Sequence, residues 1–136
     1  MLFYRYLGRC YVSLGNWPKI KEIFSDIASR VDQNQRGYGP STEREAEYYL
    51  GLCDMTSRQY DSALTHFYRC DELSRNLDKK ETSGFMVMAN LKVGMVYDAQ
   101  AKRDLAITQY KKVLALKDYQ DSHELAERFM NTPFMQ

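Results

Sequence analysis

The chain has 136 residues, 44% of them hydrophobic, with 19 Lys plus Arg against 18 Asp plus Glu and a net charge of +1. That length suits one ordinary domain around one core, and so even a charge balance excludes a whole-chain field that would steer the protein to nucleic acid or an anionic membrane. No run approaches the ~20 apolar residues a membrane span requires, and Met1-Leu2-Phe3-Tyr4-Arg5 lacks the basic-then-apolar order of a secretory signal, so a cytoplasmic protein with no membrane span is expected.

Helical spacing governs the chain from its start. A first helix is expected from about Leu2 to Leu14, turned by Gly15-Asn16. A second runs from Trp17 to about Val31, with Pro18 tolerated because first-turn amides have no intrahelical partner. From Asp32 to Ser41 two Gly and one Pro punctuate polar residues, which marks a loop. Thr42 with Glu45 reads as a capping box opening a third helix, whose apolar face carries Ala46, Tyr49, Leu50 and Cys53. A fourth helix carries Tyr60, Ala63, Phe67 and Cys70, and a break is expected from about Asp78 to Gly84. The stretch Asn90 to Leu116 contains two further helical faces, Val93, Gly94, Tyr97 and Ala101, then Ala106, Tyr110, Val113 and Leu114, separated by the polar residues around Lys102. Small residues inside both let two backbones approach, so this stretch is a helical hairpin, held together by Gly94, Tyr97, Ala106 and Tyr110. Asp121 with Glu124 reads as the capping box of a last helix from Ser122 to about Met130, ended by Pro133. There Leu125, Phe129 and Met130 would cover the preceding hairpin while Glu124, Glu127 and Arg128 face water.

The hairpin recurs. Leu7-Gly8, Leu50-Gly51 and Val93-Gly94 are spaced by 43 residues each time, and the same shift aligns Ile20 with Ala63 and Ala106, and Phe24 with Phe67 and Tyr110. Only Asp54, against Tyr11 and Tyr97, and Arg103, against Trp17 and Tyr60, break the chemical type.

On these residues the chain resembles the tetratricopeptide repeat family: an apolar-Gly step, an aromatic three residues on, then Ala and an aromatic four apart in the second helix. The likeness covers residues 1 to about 117. The period of 43 is similar to the subgroup with lengthened helices found in kinesin light chains and certain polarity adaptors, and Cys70 to Lys80 resembles that subgroup's helix end. The resemblance implies an all-α, right-handed superhelix of three helical hairpins plus a C-terminal capping helix. As one domain over 1–136 it divides into repeat 1 at about 1–33, a loop at 34–41, repeat 2 at about 42–78, repeat 3 at about 80–117 and a capping helix at about 121–131. Solenoids need such a terminal element with a polar outer face. The chain's start, with Leu2, Phe3, Tyr4 and Tyr6 clustered in a helix, has none. A fragment of a longer array, or an N-terminal face that self-associates or pairs with a partner, is therefore expected.

The family's function implies a noncatalytic protein-interaction module, a scaffold or adaptor, whose concave groove is lined by the first helix of each pair. In this register the groove falls on Arg5, Arg9 and Val12 (with Leu2), then Glu45, Tyr48, Leu52 and Met55, then Met88, Leu91, Met95 and Asp98. Such a surface is basic at its start and apolar beyond, and its methionines adapt to an amphipathic helix or an extended peptide segment of a protein partner. Some members clamp a terminal carboxylate with Lys, Asn and Arg; those places here hold Arg5, Arg9, Tyr49, Met88 and Lys92, with Asn absent, although Arg5 and Arg9 one turn apart could hold an acidic residue. The alternative is a structural subunit of a larger assembly, held through its flanks and convex face.

Catalytic chemistry is not expected. Ser122-His123-Glu124 sets a hydroxyl beside an imidazole, but neighbours in a first turn point apart and nothing is placed to orient His123. His66 stands alone, and a surface position is expected for it. Cys10, Cys53 and Cys70 are an odd number without a CxxC pair, which argues against a disulfide framework and a zinc ribbon; all three are expected in the core, and no metal or cofactor is expected. Gly37-Tyr38-Gly39 lacks the strand-to-helix context of a phosphate loop.

Overall fold

The computed structural model describes residues 2–79 and 82–136. Among them are seven helices and no strand: α1 (Leu2–Leu14), α2 (Trp17–Asp32), α3 (Pro40–Thr56), α4 (Tyr60–Leu77), α5 (Gly84–Ala99), α6 (Arg103–Leu114) and α7 (Ser122–Asn131). The expected start of the third repeat at residue 80, and the groove position expected of the Leu2 side chain, lie outside what is described. No helix of the described residues is long and apolar enough to cross a membrane.

The repeat is visible as repeated geometry. Within each of the pairs α1/α2, α3/α4 and α5/α6, a glycine of the first helix meets an aromatic ring of the second. A Cβ placed on Gly8, Gly51 or Gly94 would come within 2.8, 2.6 or 2.4 Å of the rings of Phe24, Phe67 and Tyr110, closer than packed atoms tolerate. The three turns also share one design. Gly15, Arg58 and Ala101, again 43 apart, each adopt a left-handed backbone, with φ of 66°, 61° and 59°. The next amide in each, of Asn16, Gln59 and Lys102, reaches back to the carbonyl of Tyr11, Asp54 and Tyr97, which closes the helix end in the Schellman manner. Only the first turn uses glycine, so the other two carry the steric cost of a Cβ in that region.

Each helix packs on its neighbours in sequence, and α5 additionally touches α3 and α7. This central place explains its composition: α5 is apolar nearly all round, as a helix surrounded by others must be, and nine of its residues are buried. One cluster of the core joins α2 to α3 through Ile20, Phe24, Ile27, Ala46 and Leu50. The larger one runs from Phe67 and Cys70 through Val87, Leu91 and Val96 to Tyr110 and Ala126.

Two helices are capped otherwise than expected. α3 begins at Pro40 after an extended Gly39, and Thr42 is buried inside its first turn. Glu45 does not cap that helix because its carboxylate is engaged by α1. α7 starts at Ser122 after Asp121 at the N-cap, as expected, but Asp121 makes no side-chain cap bond; the Asp118 carboxylate accepts instead from Ser122 Oγ at 2.9 Å and from the His123 amide at 3.0 Å, and those two bonds hold its pKa below the usual carboxylate range. Two side chains also sit elsewhere than expected. Cys10 is exposed, whereas burial pushes the Cys53 and Cys70 thiols up to about 11 and about 12. Tyr97 is half-buried, its hydroxyl 2.5 Å from that of Tyr68.

His66 is not a free surface residue. It lies across the α3–α4 seam with Nδ1 2.5 Å from Glu47 Oε2 and Nε2 3.4 Å from Asp54 Oδ2. The hydrogen bond to Glu47 raises its pKa above the ordinary value near 6.5 and outweighs the opposing effect of burial. A raised folded-state pKa means the stability it contributes is complete below about pH 6.5 and is lost as pH rises through the folded value. The wild-type melting temperature is therefore expected to fall more steeply above pH 6.5 than that of His66→Gln; parallel curves would remove His66 from the account.

Candidate docking groove

The odd-numbered helices α1, α3 and α5 turn side chains toward a common hollow. Val12 comes from α1, Tyr48, Tyr49 and Leu52 from α3, and Gly84, Phe85 and Met88 from α5. Tyr119 and Gln120, in the loop before α7, close one side. Together they line a cavity of about 400 Å³, within the range of small-ligand and side-chain pockets. Its placement follows from helical spacing: Tyr48 and Leu52, four apart on α3, face Met88 on α5.

The walls are aromatic. Tyr48 meets Tyr49 and Phe85 edge to face, with centroids 5.4 and 5.8 Å apart, while Tyr49 packs on Phe24 behind it at 4.7 Å. These rings fix one another, so the hollow is preformed. Tyr119 seats its ring against Gly84, where a Cβ would come within 2.4 Å of it. Burial raises the pKa of Tyr48 and Tyr49, so both stay phenols able to donate. One turn beyond Met88 on the same face of α5, Lys92 forms no ion pair with a described residue, and burial lowers its pKa.

The residues expected to line the groove divide into three groups. Val12, Tyr48, Leu52 and Met88 line the cavity. Arg5, Arg9 and Glu45 are spent on each other: the Glu45 carboxylate is 1% exposed and accepts from Arg5 Nε at 2.8 Å, Arg5 Nη2, Arg9 Nε at 2.6 Å and Arg9 Nη2 at 3.0 Å. The two arginines expected to hold a partner's acidic residue therefore hold α1 to α3 instead. In the third group, Met55, Leu91 and Met95 belong to the core cluster that also holds Ala126 of α7, and the residues after α7 bond to Met55 and Asp98. Leu91 is wholly buried, Met55 and Met95 nearly so, and the Asp98 side chain is 1% exposed. That carboxylate takes both oxygens' worth of Arg103 Nη1 at 3.0 Å, the Tyr110 hydroxyl at 2.6 Å and the Phe134 amide at 3.1 Å. A partner cannot touch this group while these contacts are in place.

Tyr49, Phe85, Tyr119 and Gln120 belong to the hollow but not to the expected groove. Tyr49 adjoins Tyr48 in sequence and Phe85 lies one helical turn before Met88, so both lay within reach of the register. Tyr119 and Gln120 lie in a loop with no repeat equivalent.

The hydroxyl and imidazole pairs do not make a nucleophile. Ser122 is fully buried and bonded to Asp118, while His123 Nε2 lies 2.7 Å from the Leu116 carbonyl. Ser62 donates to Asp54 and not to His66. Compared with protein-family models, with curated proteins and with solved structures, the chain matches none.

Proposed function

We propose that the chain is a noncatalytic protein-interaction module of tetratricopeptide-repeat type, a cytoplasmic scaffold or adaptor whose stacked hairpins form a right-handed superhelix. The preformed aromatic hollow between α1, α3 and α5 is the observation that carries this reading. An apolar side chain from a partner's helix or extended segment enters between Leu52, Phe85 and Met88. The hydroxyls of Tyr48 and Tyr49 hydrogen-bond its backbone, and Lys92 meets a carboxylate on it. A desolvated ammonium without a counter-charge is costly, so an acidic residue beside the apolar anchor suits the site. The 43-residue recurrence of the glycine-on-ring crossing and of the left-handed turn supports the stacked arrangement.

A second reading, a structural subunit held through its flanks, has its own observation: Phe3, Tyr6 and Leu14 on α1 are 80%, 53% and 76% exposed. The two separate by substitution. Leu52→Asp with Met88→Asp is expected to weaken partner binding by at least about 2 kcal/mol, roughly thirtyfold, while Phe3→Asp with Leu14→Asp leaves it unchanged. Affinity capture from the native host, followed by titration of the recovered partner against each variant, measures this. Loss with the α1 variant alone would replace the groove reading with the subunit reading.

A further inference from the structure

Beyond the hollow, a second docking site is indicated by the manner in which the chain covers its own groove end. α7 stops at Asn131, Thr132 is extended with φ −132° and ψ 118°, and the chain then crosses the C-terminal ends of α5 and α3. Its attachments are few and specific. The Phe134 amide donates to Asp98 Oδ2 at 3.1 Å, and its ring stands edge to face on Phe129 with centroids 5.5 Å apart. The Gln136 side chain donates to the Met55 carbonyl at 2.7 Å and accepts from the Tyr60 hydroxyl at 3.0 Å.

Around these points the fit is loose. A cavity of about 430 Å³ lies along Arg128, Phe129 and Pro133 on one side, and one of about 220 Å³ along Arg58, Tyr60 and Ala99 on the other. Met135 between the anchors is 86% exposed. One ring, one backbone amide and one side-chain amide on an otherwise underpacked strip is how an extended peptide binds to a preformed surface, not how a core element packs. The receiving groups do not depend on the strip for their places: Asp98 is held by Arg103 and Tyr110, and Met55 lies within α3.

We propose that residues 132–136 are a detachable occupant of a peptide site at the C-terminal ends of α3 and α5, and that the site receives from a partner an extended segment of the same chemistry. That segment has an aromatic residue following proline, its amide free to donate to Asp98, and a carboxamide two residues on for Met55 and Tyr60. The site is separate from the aromatic hollow and stands whether or not the hollow binds a partner.

The probe is a fluorescein-labelled peptide of sequence Met-Asn-Thr-Pro-Phe-Met-Gln, titrated by anisotropy against the full chain. In the wild type the internal strip competes, so apparent affinity falls by the fraction of chains in which the site is open. Phe134→Ala in the protein is expected to bind the probe about tenfold more tightly than wild type. On that variant, a probe N-methylated at its phenylalanine, which cannot donate to Asp98, is expected to lose at least about tenfold, and Leu52→Asp added to the protein leaves binding unchanged. Equal binding by wild type and Phe134→Ala, or equal binding of the methylated probe, overturns the proposal. Wild-type dimers in sedimentation that vanish in Phe134→Ala would assign the site to a second copy of the chain and overturn the partner assignment. Because only the peptide changes in the methylation comparison, misfolding of a protein variant cannot imitate the expected result.

Discussion

Replacing Tyr110 with Ala is expected to cost about 3–5 kcal/mol in urea denaturation, the range for truncating a large buried side chain. The ring is wholly buried. It fills the space opposite Gly94 and lies 5.8 Å from the Phe129 ring of α7, so its removal opens a cavity where α5, α6 and α7 meet. Its hydroxyl also donates to Asp98 at 2.6 Å. Losing that bond leaves a buried carboxylate with less compensation, which adds to the transfer and cavity costs. Since whole domains are stable by only about 5–15 kcal/mol, the variant is expected to be partly unfolded at 37 °C. Tyr97→Ala is the control: its ring is half-buried and its hydroxyl meets Tyr68, so about 1 kcal/mol is expected. If the two variants proved equal, or Tyr97 the costlier, the assignment of Tyr110 to the crossing would fail.

Glu45→Gln is expected to cost about 2 kcal/mol, because the buried carboxylate gives up charge-assisted hydrogen bonds to two guanidinium groups that remain partly in contact with water. Its effect is expected to be local. α1 reaches α3 through Arg5 and Arg9 on this carboxylate, and otherwise its main neighbour is α2. With the charge gone, the amides of residues 2–14 are expected to exchange with solvent far faster while those of α5 and α6 keep their protection. Hydrogen exchange read by mass spectrometry distinguishes this outcome from uniform loosening. Unchanged protection of α1 would show that α2 alone holds it. Arg9 is 42% exposed against 19% for Arg5, so Arg5 is the partner whose loss is expected to come nearer the effect of Glu45→Gln.

The sequence by itself determined the helices and their pairing. α1 and the start of α2 fall where periodicity puts them, and the 43-residue recurrence picks out Gly8, Gly51 and Gly94 as the crossing points. It does so because the contacts that make a hairpin are short in sequence: each glycine meets a ring sixteen residues later. A repeat prints such a contact into the chain three times. Where the structure departs from the local pattern, a longer-range partner holds the residue. Glu45 stands at a capping-box position, but a buried carboxylate within reach of two guanidinium groups is better compensated there than by one backbone amide.

What only the tertiary structure decided is which part of the groove stays open. Leu52 and Met95, 43 residues apart, occupy equivalent faces of their helices and look alike in sequence, yet Leu52 is half-buried and lines a cavity while Met95 is buried away from it. The difference comes from contacts that carry no periodicity: Arg9 with Glu45 and Phe134 with Asp98 across 36 residues, and Gln136 with Met55 across 81. Each joins a repeat position to a residue whose partner is chosen by the path of the chain in space. Helical spacing specifies the direction in which a side chain points, and the fold specifies what has come to lie there.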